Sequence, residues 1–187
     1  NNSGGANVAI GVGAAANSTT RSNLVAIGDS ALYNNGTGGA FASQATENTA
    51  VGYRSLYTNT LGESNTSVGY TSLTLNTTGS GNTAYGTRSL VANVNGSYNT
   101  AIGNASLFNN ATGSINTAVG NGALLANNSG NGNTAIGAAA LNNNTTGYSN
   151  VAIGVGALST NTKANNLVAI GDSALLIMQM VVPLVLF

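Results

Sequence analysis

A parallel β-solenoid is the fold class this sequence predicts, on three observations. A 17-residue unit recurs through nearly the whole chain, each unit carries one short run alternating small and β-branched residues, and no unit holds a stretch long enough for a helix. The expected architecture is all-β, a β-roll of about ten coils.

The tripeptide Ala-(Ile/Val/Tyr)-Gly, with Ser67 once replacing Ala, places its glycine at Gly11, Gly28, Gly52, Gly69, Gly86, Gly103, Gly120, Gly137, Gly154 and Gly171. Every interval is 17 except that from Gly28 to Gly52, which is 24. Seven extra residues within Gly36 to Thr46 therefore bulge from one coil as a loop. The cleanest unit, Asn133 to Ser149, explains each part of a coil. Asn-Thr-Ala-Ile is a short extended run whose side chains pack on equivalent neighbours. The glycine after it ends the strand where a Cβ would clash. Ala/Ser-Leu is a second apolar segment, with Leu32, Leu56, Leu73, Leu90, Leu107, Leu124, Leu141, Leu158 and Leu175 in register. Asn-Thr-Thr-Gly is turn chemistry.

A unit this small buries a core only when others stack above and below it. At about 4.8 Å per coil, ten coils make a rod of roughly 48 Å. Equivalent residues then form ladders. Asn48, Asn65, Asn82, Asn99, Asn116, Asn133 and Asn150 line one corner, and Asn59, Asn76, Asn93, Asn110, Asn127, Asn144 and Asn161 another. Their amides are expected to hydrogen-bond along the axis. The interior is expected to hold Ile, Val, Leu and Ala, and the exterior Asn and Thr. A longer period of 143 residues relates Asn7–Ala14 to Asn150–Ala157 and Leu24–Leu32 to Leu167–Leu175. The solenoid is read as residues 1–175, and the chain's start in mid-pattern leads us to expect a piece of a longer protein.

Residues 176–187 break the pattern with an apolar run too short to cross a bilayer, which takes about 20 residues. Read two bases into the Ile177 codon, the possible codons restore something close to the loop that follows Leu32. We therefore expect the tail to derive from a frameshift, with a hydrophobic cap on the last coil as the other reading. Nothing at the N-terminus has the form of a secretion signal.

The recurring Asn-Thr-Ala-(Ile/Val)-Gly-x-x-(Ala/Ser)-Leu resembles two kinds of sequence. Residues 48–162 are similar to the Asn-Thr-Ala-Ile-Gly-Tyr-x-Ala-Leu repeat of phage tail-fibre-like and bacterial surface proteins. Val8-Ala9-Ile10-Gly11, Val25-Ala26-Ile27-Gly28 and their two counterparts resemble the head repeats of trimeric autotransporter adhesins. The resemblance implies a left-handed roll, self-association as a homotrimer or fibre, and a place outside the cell, on a cell surface or on a virion. The anchor, stalk and chaperone segments of such families have no counterpart in this sequence.

Composition limits the chemistry. Charged residues are 4% of the chain, four basic and four acidic, so no electrostatic term favours nucleic acid or an anionic membrane. Neither partner is expected, nor is membrane insertion. Without His or Cys, the usual nucleophilic triads, thiolate sites and imidazole metal sites are excluded, and no cofactor is expected. The acids are Asp29, Glu47, Glu63 and Asp172, and only Glu47 and Glu63, on neighbouring coils, could come close to one another. No catalytic or metal site is predicted. Gly11-Val12-Gly13 and Gly154-Val155-Gly156 are read as turns, since no helix follows to receive a phosphate.

The expected function is a structural and adhesive fibre segment with a glycan or surface receptor as partner. Tyr53, Tyr57 and Tyr70, with Phe41 on the inserted loop, form the candidate binding surface. The alternative is a monomeric solenoid that binds ice or carbohydrate through a flat face bearing Thr49, Thr66, Thr83, Thr100, Thr117 and Thr134. Valines in the same column at Val8, Val25, Val151 and Val168 suit a chain-to-chain surface better.

Overall fold

A computed structural model describes residues 4–41 and 43–176. The expectation for the apolar tail therefore falls, beyond Leu176, outside the described residues. Ten three-residue strands, from β1 (Val8–Ile10) and β2 (Val25–Ile27) to β10 (Val168–Ile170), form one parallel sheet in chain order. Each strand pairs with the next at the repeat offset, Thr100 against Thr117 for example. Val25 pairs with Thr49, so the register absorbs the insertion and the sheet continues past it. The expected solenoid of about ten 17-residue coils is the observed fold, and the described residues contain no helix.

Alternation inside each strand divides interior from exterior. The central Ala, or Ser67 in β4 (Thr66–Val68), is fully buried from β2 to β9 (Val151–Ile153). The Thr or Val before it and the Ile or Val after it face outward. Ser67 is accommodated by a buried hydroxyl cluster, 2.8 Å from Ser55 Oγ and 2.6 Å from Ser72 Oγ. The strand ends at glycines such as Gly103, at φ 126°, where a Cβ would stand 2.7 Å from the Gly120 carbonyl oxygen.

Hydrogen bonding between coils does not stop with the strands. All nine leucines of the inner column sit in the left-handed region at φ between 49° and 53°. Such a backbone costs a non-glycine residue on the order of 1 kcal/mol. Stacking offsets that cost: Leu73 N–H donates to the Ser89 carbonyl of the next coil at 2.9 Å, and the side chain is completely buried. A second left-handed corner, at Tyr98 and Ile115 among others, donates to the preceding coil. The ladder therefore runs around most of the coil, and long strands are unnecessary.

The asparagines correct one expectation. Both columns are interior, at 0% exposure for Asn48 through Asn150 and for Asn59 through Asn144. Along the first, Asn65 Nδ2 donates to Asn48 Oδ1 at 3.2 Å, and that oxygen also accepts the Asn65 backbone N–H at 2.9 Å. Along the second, Asn76 Nδ2 donates to Asn59 Oδ1 at 2.9 Å. Asn65 and Asn76 also share one acceptor, the Gly79 carbonyl, at 2.9 Å each. From Asn48 to Asn133 in the first column and from Asn59 to Asn144 in the second, both side-chain amide hydrogens are used, which is what permits a polar group to be buried without loss. The strand Ile and Val residues, expected inside, lie on the outer face instead; Ile102 and Ile136 are each 40% exposed. The core is Leu and Ala with an asparagine seam.

Candidate binding surface

Parallel register brings three of the predicted residues together. Tyr53 and Tyr70, one repeat apart, stack with ring centroids 5.3 Å apart. Tyr57 stacks at the same distance on Tyr33, which the sequence reading missed. Tyr33 and Tyr57 are separated by the length of the long unit, so the register of that unit already pairs them. Arg54 joins the two stacks: its guanidinium carbon lies 4.8 Å from the Tyr57 ring centre and 5.7 Å from that of Tyr53. Cation–π attraction of this kind stiffens an exposed aromatic group by about 0.5–1 kcal/mol. The result is a partly exposed platform of four tyrosines around one cation, suited to stacking on the apolar face of a sugar.

Phe41 does not join it. Its ring is 67% exposed, and among the described residues the only ring stacks are those of the tyrosines. The loop is held by Arg21, a residue the sequence reading passed over. Arg21 stands at the register position occupied by Gly62, Gly79 and Gly96 in later coils. At Gly62 a Cβ would run into the Gly79 carbonyl oxygen and lie 2.6 Å from Asn59 Oδ1, so a side chain has no room there. In the first coils the insertion opens that room. Arg21 donates to Thr20 Oγ1 at 2.7 Å and to the Gly36 and Gly39 carbonyls at 3.0 and 3.2 Å.

The six predicted threonines are in register in β3 (Thr49–Val51) through β8 (Thr134–Ile136). All face outward, half-buried or exposed, and among the described residues none of their hydroxyls has a hydrogen-bond partner. The adjacent column reads Val51, Val68, Tyr85, Ile102, Val119 and Ile136. The acids stay apart in function: Glu47 accepts from Ser64 Oγ at 3.0 Å, while Glu63 falls in the column of Ser80. Among the described residues no three acidic, His or Cys groups converge on a metal position. Comparison with known proteins finds no matching family model, no matching curated protein and no matching solved structure.

Proposed function

We propose that the chain is a structural and adhesive segment of an extracellular or virion-surface fibre, without catalytic activity, in which three copies pack side by side as a left-handed roll. The observation that carries this reading is the outward strand face. Two in-register columns run the length of the sheet, one of Thr/Val and one of Ile/Val interrupted by Tyr85, with β-branched side chains and unpartnered threonine hydroxyls left to meet something other than their own chain. A regular apolar strip of this kind on a chain with so few charges suits burial against identical strips. The tyrosine platform beside the inserted loop is the receptor-binding element, and a glycan is its ligand. On a glycan array, the intact chain should bind a defined set of sugars, and Tyr53→Ala with Tyr70→Ala should abolish that binding. An array blank for both would leave a spacer without adhesive function.

The register of the six threonines favours a second reading, a monomeric solenoid whose flat face binds ice or carbohydrate. Tyr85, 59% exposed, stands out of the column beside them and breaks the flatness that an ordered water layer needs. Thermal hysteresis in the micromolar range would favour ice binding over the fibre.

A further inference from the structure

Arg21 is the only charged side chain buried among the described residues, at 4% exposure. Its hydrogen bonds all run to neutral oxygens, and its Nε has no partner at all. A buried cation without a counter-charge is costly, and a neutral donor would clasp the loop as well. No acid of the chain supplies that charge. Glu47, whose N–H bonds the Ser22 carbonyl at 3.2 Å, turns its carboxylate to Ser64 on the next coil.

Arg21 is among the residues that line an open groove of about 900 Å³ between the first coil and the loop. The other walls are neutral and rich in hydroxyl and amide groups: Asn17, Thr19, Thr20, Ser22 and Thr37. Gly36 and Gly39 let the loop backbone close on Arg21, since a Cβ on Gly36 would collide with Arg21 Nε and one on Gly39 would lie 2.5 Å from Nη2. The volume falls within the range of about 300–1,000 Å³ usual for small-ligand sites.

We propose that this groove binds the carboxylate of an acidic saccharide, with Arg21 as the counter-charge and the threonine, serine and asparagine side chains as partners for the sugar hydroxyls. One cation matches one carboxylate. A polyanion would need several, and Arg54 is engaged between tyrosine rings while Arg88 and Lys163 are exposed on other coils. Anion binding follows from the groove itself; the sugar part of the ligand rests on the adhesive reading above.

The experiment is a titration of the intact, nitrogen-15-labelled chain with sodium glucuronate, methyl glucoside and sodium sulfate, followed by amide chemical shifts. Glucuronate should shift Thr20, Ser22 and Gly36–Gly39 saturably, methyl glucoside should leave them in place, and sulfate should bind about tenfold more weakly. Arg21→Gln, which keeps a donor without the charge, should weaken glucuronate about tenfold or more. If that substitution displaces the loop amides before ligand is added, Arg21→Lys, which keeps the charge, should retain measurable binding. Unmoved groove amides in the native chain would overturn the proposal. Sulfate binding as tightly as glucuronate would overturn the saccharide and leave a bare anion site. Glucuronate shifts confined to Tyr53 and Tyr70 would overturn this groove while leaving the adhesive reading intact, and a blank array beside a positive groove would do the reverse.

Discussion

The asparagine seam shows how one residue type can be both polar and core. Asn99 accepts two hydrogen bonds from Asn116 and donates to Asn82 Oδ1 and the Gly113 carbonyl. Replacing it with Ala leaves the Asn116 N–H and one amide hydrogen of the next coil without an acceptor in a dry interior. Asn99→Ala should therefore destabilise the chain by about 2–4 kcal/mol, read from denaturant unfolding, whereas Asn104→Ala, on the exposed side of the same coil, should cost under about 0.5 kcal/mol. The columns themselves were legible in the sequence, because a fixed period places equivalent residues one above the other. Their direction was not. Asn reads as a surface residue by type, and the satisfaction that allows its burial comes from the neighbouring coil, which no single unit reveals. The same ambiguity hid the outward turn of Ile102 and Ile136, since a three-residue strand is too short for alternation to name its buried face.

The element of this fold is the coil, and its boundaries follow from local chemistry. Thr-Ala-Ile extends, glycine turns, and Leu sits in a strained left-handed corner that only stacking compensates. Because the coils are equivalent, removing residues 99–115 should bring Asn116 directly onto Asn82 and restore every ladder. The shortened chain should keep its far-ultraviolet circular dichroism per residue and melt cooperatively, with lower stability, as one-dimensional stacks do. A deletion of eight residues from the same coil puts the Asn columns out of register and should give an unfolded chain; equal stability of the two would contradict the ladder account. Sequence spacing also located the insertion. It did not expose the clasp, because Arg21 lies in the coil before the loop and gains its role only from the open space at a position where later coils require glycine.

At the scale of the whole molecule, the regular stack leaves a strip of β-branched side chains unpartnered along one face while the polar groups with the greatest capacity for hydrogen bonding are turned inward. This is the reverse of an ordinary soluble repeat. With no ion pair contributing among the described residues, neither the stack nor its association should depend appreciably on salt, so raising sodium chloride from about 0.05 to 1 M should leave the melting temperature within a degree or two. The most direct test of side-by-side packing is the mass in solution, by light scattering coupled to size exclusion. A mass near three times the chain's 18.3 kDa, falling to that of one chain when Thr100 and Ile102 are both replaced by Arg, is the predicted result. A single-chain mass for the native protein at every concentration would contradict the fibre reading and leave the threonine face open to water.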